Sequence, residues 1–203
     1  SRSLKIAGGL SLERLAAQIQ VIKDLQKACS IRIFTGIEVD ILPDGSLDAP
    51  VEVLAGLDVV VASVHSAFRQ SKEQMTARIC RAMQNPYVQI IGHPTGRLLN
   101  KRKAYEVDME ELLKVAAATG TILEINATPD RLDIDDNTAR KAKAAGILLA
   151  VNTDAHSQTG LANAALGLSV ARRAWLSRED VINTASARDV QALLQRKRTG
   201  GRR

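Results

Sequence analysis

Three histidines and two carboxylates are the side chains of this sequence best suited to chemistry. The histidines are His65 in SVHS, His93 in GHP and His156 in TDAH, and the chain has no others. Glu38 in GIEVD and Asp154 in TDAH are the carboxylates. Mixed imidazole and carboxylate donors suit Mn²⁺, Zn²⁺ or Fe²⁺, whereas Ca²⁺ and Mg²⁺ prefer shells of oxygen. The residue types therefore favour a transition-metal site.

The elements that would position these residues alternate along the chain. Short apolar or β-branched runs predict five strands, over residues 31–41, 58–64, 88–91, 121–125 and 146–151. Strands that are apolar on both faces and alternate with helices form parallel sheets covered by helices. We therefore expect an α/β fold, either an open doubly wound sheet or a (βα) barrel.

Helix signals fill the gaps between these strands. Ser71 and Gln74 form a capping box that predicts the start of one helix, and Asp135 or Asp136 would cap another. Apolar spacing of three and four residues predicts further helices over residues 12–25, 108–118, 161–175, 178–183 and 186–195. Because the carboxyl ends of parallel strands share one face, the histidines and carboxylates are expected at one rim.

Composition excludes several classes of protein. The length of 203 residues fits one domain, and no apolar run approaches the roughly 20 residues that span a bilayer. Cys29 and Cys80 lie far apart, which argues against a disulfide framework or a zinc ribbon. We expect a soluble cytoplasmic protein with buried thiols and no membrane partner.

Positive charge is concentrated in two places. Residues 196–203 carry five basic side chains, and we expect them to form a flexible tail that is solvated or contacts nucleic acid, after a domain of residues 1–195. A second basic stretch follows His93 and contains Arg97, Lys101, Arg102 and Lys103. Such side chains suit phosphate oxygens, although a solvated charged loop has the same composition.

Five segments resemble successive motifs of the polymerase and histidinol phosphatase (PHP) domain, in the form fused to bacterial family X DNA polymerases. They are GIEVDILPDGSLD, LDVVVASVHS, IIGHPTGRLL, EINATPDRLDI and VNTDAHS, and the resemblance covers about residues 1–195. It implies a distorted seven-stranded (βα) TIM-like barrel, incomplete here with about five strands. It also implies up to three ions, Mn²⁺ or Zn²⁺, at the C-terminal rim.

The resemblance assigns metal ligands. It implies that Glu38 bridges two ions, that His65 and His93 complete the second site, that Asp154 helps to hold the first ion and that His156 serves the third. The family's HxH pair, a following Asp and a His within TDHS do not occur in this sequence, which begins at residues resembling the end of that last motif. We therefore expect a chain truncated at its N-terminus, with little activity alone.

The expected mechanism also involves substrate contacts. We expect Arg97, and with it Lys5, to neutralise phosphate oxygens, and Lys101 and Asn126 to lie near the substrate. Glu38 and Arg97 are the expected catalytic residues.

The expected function is a metal-dependent phosphoesterase that processes DNA 3′ ends during repair, as a 3′-5′ exonuclease or a 3′-phosphatase. Its partners would be DNA and a polymerase domain upstream in the same polypeptide. Two alternatives remain, a small-molecule phosphatase of the histidinol phosphatase type and a non-catalytic DNA-binding scaffold. The stretch around Glu38 and the basic loop resemble the polymerase-fused branch, and the retained ligands argue against a scaffold.

Overall fold

The computed structural model describes residues 9–200, in which five strands alternate with helices. The strands are β1 (Gly36–Asp40), β2 (Val59–Ser63), β3 (Ile90–Ile91), β4 (Ile122–Asn126) and β5 (Leu149–Asn152). The α-helices are α1 (Leu12–Ala28), α2 (Val51–Ala55), α3 (Lys72–Gln84), α4 (Met109–Thr119), α5 (Asp136–Ala144), α6 (Ala164–Arg173) and α7 (Ala187–Arg198). Short 3₁₀ turns occupy Thr159–Asn163, Arg178–Asp180 and Ile182–Thr184.

The five strands form one parallel sheet in the order β1-β2-β3-β4-β5. A doubly wound sheet reverses its strand order at a switch point, whereas a (βα) barrel adds each strand beside the previous one. The order here never reverses. The structure therefore confirms the expected α/β class and has the arrangement of an incomplete (βα) barrel.

The two faces of the sheet pack differently. Alternate strand residues such as Val39, Ala62 and Ile125 are fully buried in the main core, which also takes in side chains of α1 to α6. The opposite face forms a second cluster that includes Ile90, Ile122, Ala150, Ile182 and Leu194. Burial of such side chains stabilises the fold by roughly 1.5–3 kcal/mol each.

The second face becomes polar toward the carboxyl ends of the strands. On β4, Ile122 is followed two residues later by Glu124 and then by Asn126; on β2, Val61 is followed by Ser63. Side chains two residues apart in a strand share a face. One end of this face is therefore an apolar cluster under α7, and the other presents buried polar groups.

Several expected boundaries shift in the structure. The capping box at Ser71 is present, and Asp135 caps α5 by accepting from the Thr138 amide. The strand expected over residues 31–41 begins only at Gly36. The helix expected over residues 178–183 is instead two 3₁₀ turns, because the Asp180 carboxylate bonds back to the backbone and hydroxyl of Ser177 and closes a short turn.

Residues 196–198, which were expected to begin a flexible tail, lie in α7, which ends at Arg198. Lys197 is 8% exposed, and its Nζ donates to the carbonyls of Met83 (2.9 Å) and Thr119 (3.4 Å). Arg198 Nη1 donates to the carbonyl of Ala55 (3.1 Å). These carbonyls lie at the C-terminal ends of α3, α4 and α2, where oxygens without intrahelical partners accept hydrogen bonds from other parts of the chain. Hydrogen bonds to these carbonyls thus hold Lys197 and Arg198 in α7.

No helix within residues 9–200 is long and apolar enough to cross a membrane.

Candidate metal centre

Glu38, His65 and His93 form a compact cluster. Each offers one ligand atom, and the three atoms lie within 4.8 Å of one another. Glu38 Oε1 is 3.1 Å from His93 Nε2 and 3.3 Å from His65 Nε2. The two imidazole rings meet edge to face, with centroids 5.1 Å apart. The structure therefore brings together three of the five metal ligands expected from the sequence.

Strands β1 and β2 place the first two members of this cluster. Glu38 lies in the middle of β1, opposite Val61, and Asp40 lies opposite Ser63. The Ser63 hydroxyl donates to Glu38 Oε1 at 2.6 Å. His65 follows Ser63 by two residues, so strand alternation aims both side chains at the same face. Ser63 and His65 therefore both contact the carboxylate of Glu38.

His93 reaches the cluster by a different route. Two residues after Ile91, strand alternation would aim its side chain at the main core on the other face. The backbone at His93 instead has φ +28°, in the left-handed region. Departures of this kind in a non-glycine residue are costly and concentrate at functional sites. The turn at His93 carries its ring to Glu38.

Asp40 supports His65 from behind. Asp40 is 2% exposed, and its Oδ1 accepts from the His65 amide at 3.0 Å and lies 3.5 Å from the ring Nδ1. A carboxylate behind an imidazole ligand fixes its orientation and increases its basicity. Ring and backbone of His65 are therefore held by one buried carboxylate.

Charges in the cluster are strongly coupled. Burial alone would raise the pKa of Glu38, but hydrogen bonds from His65 and His93 outweigh burial and hold that pKa well below its usual range. Burial would lower the pKa of His65, but hydrogen bonds to Asp40 and Glu38 raise it to about 9. His65 therefore carries a proton at neutral pH, which a bound metal ion would displace.

The donor set fits a transition-metal ion. Two imidazoles and one carboxylate match the preferences of Zn²⁺ and Mn²⁺ and leave positions open for other ligands. Nε2 of His93 and Nε2 of His65 lie 3.1 and 3.3 Å from Glu38 Oε1, so both imidazole nitrogens that would bind an ion lie beside the carboxylate.

Asp154 and His156 lie outside the cluster of three. Asp154 Oδ2 accepts from Asn126 Nδ2 at 3.2 Å, and its backbone has φ +50°. His156 has 78% of its side chain exposed, and its Nδ1 is 2.8 Å from the Asp154 carbonyl. Asn126 is fully buried and also contacts Glu124. The expected roles of Asp154 and His156 as ligands stay predictions.

The expected phosphate-binding residues have other partners. Arg97 Nε donates to the carbonyl of Arg131 at 2.9 Å, and its Nη2 donates to the carbonyl of Leu132. Lys101 pairs with Asp130 at 2.6 Å on the surface. Lys5 lies outside the described residues. The Arg97 guanidinium thus holds the loop after β4, and its expected role toward phosphate stays a prediction.

Arg131 is a cation near this site that the sequence did not single out. Its Nε is 3.6 Å from Asp154 Oδ2, and its Nη1 is buried without a hydrogen-bond partner among residues 9–200. Asp40 and Glu124 were also missed. Their two-residue spacing from Glu38 and Asn126 was the available signal for both, whereas nothing in the sequence distinguishes Arg131.

Comparison with known proteins finds relatives that match most of this chain. The chain is 43% identical over 197 residues to the DNA polymerase/3'-5' exonuclease PolX of Bacillus subtilis (strain 168), a match that covers 97% of this chain and 35% of that protein. It is 34% identical over 186 residues to a probable phosphatase of Thermoanaerobacter sp. (strain X514), covering 87% of this chain and 74% of the phosphatase.

A probable phosphatase of Caldanaerobacter subterraneus subsp. tengcongensis is 33% identical over 187 residues, and the chain covers 71% of it. No family model matches the chain. These relatives extend over most of the sequence, including the segments that hold Glu38, His65 and His93. The chain therefore belongs to the PHP-type family of phosphoesterase domains shared by these probable phosphatases and a segment of PolX.

Proposed function

We propose that this chain is a metal-dependent phosphoesterase that hydrolyses phosphate esters at DNA 3′ ends, as a 3′-5′ exonuclease or 3′-phosphatase. The observation that carries the proposal is the cluster of Glu38, His65 and His93. The PolX relative, whose name joins a DNA polymerase to a 3′-5′ exonuclease, supports the choice of DNA. The proposal also includes a role in DNA repair in the cytoplasm and the presence of a polymerase domain in the same polypeptide.

Glu38, His65 and His93 would hold one ion, Mn²⁺ or Zn²⁺. Asp154 and His156 are proposed as ligands for additional ions. When bound, such an ion polarises a phosphoryl oxygen and lowers the pKa of water toward 7.

The protein side chains orient the reacting groups. The Ser63 hydroxyl fixes the carboxylate of Glu38, and Asp40 fixes the ring of His65. These contacts hold the two ligands in one rotamer each, so little ordering remains to be done when substrate arrives.

Arg131 is placed to bind a phosphate oxygen. A guanidinium matches the geometry of phosphate and stays charged at all accessible pH values. Its buried Nη1 lacks a partner among the described residues, and a phosphate oxygen would supply one. Arg97 acts through Arg131 by holding the carbonyls of Arg131 and Leu132. Lys101 and Asn126 are proposed to lie near the substrate as well.

A second candidate function is hydrolysis of a small phosphomonoester. The chain covers 74% and 71% of two relatives named probable phosphatases, whereas it spans 35% of PolX. The same cluster and Arg131 would serve either substrate, because both present a tetrahedral phosphoryl group.

A paired hydrolysis assay tests the proposal. The chain is incubated with Mn²⁺ and with either p-nitrophenyl phosphate or 5′-labelled DNA that ends in a 3′-hydroxyl or a 3′-phosphate, beside Glu38→Gln and the exposed control Lys114→Ala. We expect slow, Mn²⁺-dependent shortening or dephosphorylation of the DNA, in line with the low activity expected of the chain alone; this activity should be absent in Glu38→Gln and unchanged in Lys114→Ala. Hydrolysis of the small ester alone would favour the second candidate. Metal-dependent hydrolysis that survives in Glu38→Gln would refute both.

A further inference from the structure

Glu124 is a buried carboxylate that none of the roles above uses. It lies in β4 on the polar part of the second face of the sheet, and only 5% of its surface is exposed. A buried carboxylate is costly unless its oxygens are hydrogen-bonded. The hydrogen-bond donors to Glu124 therefore indicate its role in the fold.

Both oxygens of Glu124 accept from groups that belong to different elements. Oε2 accepts from the His93 amide at 2.7 Å and from Asn126 Nδ2 at 3.2 Å, and Oε1 accepts from Asn152 Nδ2 at 2.8 Å. The same Asn126 Nδ2 donates to Asp154 Oδ2 at 3.2 Å. One carboxylate thus connects the loop after β3, β4 itself, β5 and the segment after β5.

The backbone beside Glu124 is adapted to this contact. A Cβ added at Gly92 would lie 2.9 Å from Val61 Cγ1 and 3.5 Å from Glu124 Oε2. Contacts below 3.0 Å force neighbouring atoms to move. Glycine at position 92 therefore lets the chain pass close to β2 while the next amide, that of His93, reaches the carboxylate.

His93 depends on this bond more than an ordinary strand residue would. Its left-handed backbone, with φ +28°, takes the chain out of the strand pattern, and its amide is held by Glu124. Asp154 has a left-handed backbone too, with φ +50°, and its carboxylate is held through Asn126. Strained conformations persist only where surrounding contacts enforce them.

We propose that Glu124 is a positioning residue that fixes His93 and Asp154 relative to each other, so that the Glu38, His65 and His93 cluster and Asp154 meet one phosphoester. This inference rests on the proposed function. It assigns Glu124 neither a proton transfer nor a contact with the ion. Its task is to accept hydrogen bonds from three fixed donors.

Two substitutions distinguish a residue that acts by accepting hydrogen bonds from one that acts through its negative charge. In Glu124→Gln, the remaining oxygen can still accept from His93 and Asn126. The new amide can donate to Asn152 Oδ1 once the Asn152 side chain turns over, whereas Asn126 is kept in place because its Oδ1 accepts from Thr128. Glutamine therefore preserves the positions and removes the charge, and alanine removes both.

The experiment compares Mn²⁺ affinity by titration calorimetry in the wild-type chain, Glu124→Gln and Glu124→Ala. Ile125→Val, the neighbouring fully buried residue on the other face, is the control for a general loss of packing. We expect the Mn²⁺ Kd to rise at least tenfold in Glu124→Ala, and to stay within about threefold of wild type in Glu124→Gln and Ile125→Val.

A second variant tests the same role if Glu124→Ala does not fold. Glu124→Gln combined with Asn152→Ala removes the partner on which the glutamine depends, and we expect it to weaken Mn²⁺ binding relative to Glu124→Gln alone. Hydrolysis in the same set, measured with the substrate that the wild-type chain cleaves in the paired assay, should show a larger fall in kcat than rise in KM, because misplaced ligands impair the reaction more than they impair binding.

The outcomes distinguish the inference from the function on which it rests. Mn²⁺ affinity unchanged in Glu124→Ala, or lost equally in Glu124→Gln and Glu124→Ala, would overturn the positioning role. A wild-type chain that binds Mn²⁺ but hydrolyses no phosphoester would refute the proposed function and leave the affinity test of Glu124 in force. A wild-type chain that takes up no Mn²⁺ would refute both.

Discussion

Arg78 in α3 is 2% exposed and holds the loops that follow β1 and β2. Its Nε donates to the Ile41 carbonyl at 3.0 Å, and Nη2 donates to the same oxygen. Nη1 donates to the carbonyl of Ser66 at 2.9 Å and to Gln70 Oε1 at 3.0 Å. Ile41 comes directly after β1, and Ser66 directly follows His65. One buried guanidinium thus supports both strands that carry the metal cluster.

Replacing Arg78 by Met should destabilise the protein strongly. The change leaves the Ile41 and Ser66 carbonyls without this donor, and each buried acceptor that loses its partner costs about 1–3 kcal/mol. Relief of the desolvated cation offsets part of that cost. We expect a loss of about 3–4 kcal/mol, a large share of the roughly 5–15 kcal/mol that stabilises a typical domain.

Urea unfolding measures this loss directly. With a slope of about 2 kcal/mol per molar urea, Arg78→Met should lower the unfolding midpoint by roughly 2 M. Arg81→Met is the matched control, because Arg81 lies one turn later in α3 and donates to the Asp44 carbonyl at 3.0 Å in an exposed setting. Its change should stay below about 1 kcal/mol. Equal losses in the two variants would refute the role assigned to Arg78.

Three further predictions concern other cations. Arg131→Ala should raise the inhibition constant of inorganic phosphate at least tenfold in the hydrolysis assay, and an unchanged constant would remove Arg131 from the phosphate site. Arg97→Ala should cost about 2 kcal/mol in urea unfolding through the two lost carbonyl contacts, whereas Lys101→Ala should cost less than about 1 kcal/mol. Burial lowers the pKa of Lys197 from 10.5 to about 7, so the unfolded chain binds more protons across that window and stability should rise with pH there. The free energy of unfolding, measured from pH 6 to 10, should rise with pH in the wild type but not in Lys197→Met. The same pH dependence in both proteins would contradict the lowered pKa of Lys197.

Strand periodicity and helix caps predicted most of the fold. The five apolar runs became five parallel strands, and the capping signals at Ser71 and Asp135 mark real helix starts. Strand periodicity and helix capping both depend on residues that are close together in the sequence. The extent of α7 depends instead on carbonyls at the ends of distant helices, so a local basic pattern could not reveal it.

Only the part of the candidate site that depends on local sequence patterns was predicted. Glu38 and His65 project from strands by simple alternation, and residue type identified them. His93 joins them only through a left-handed backbone that Glu124 holds from the neighbouring strand. Arg131 reaches the site through a loop fixed by Arg97, thirty-four residues earlier. Contacts of that kind require the folded chain.

Titration calorimetry with Mn²⁺ tests the central claim most directly, by comparing the wild-type chain with His93→Ala and His156→Ala. His93 is buried in the cluster of three, whereas His156 has 78% of its side chain exposed outside it. We expect about one tightly bound ion per wild-type chain, its loss in His93→Ala and its retention in His156→Ala. A wild-type chain that binds no ion, or an ion retained in His93→Ala, would contradict the assignment of Glu38, His65 and His93 as the metal centre.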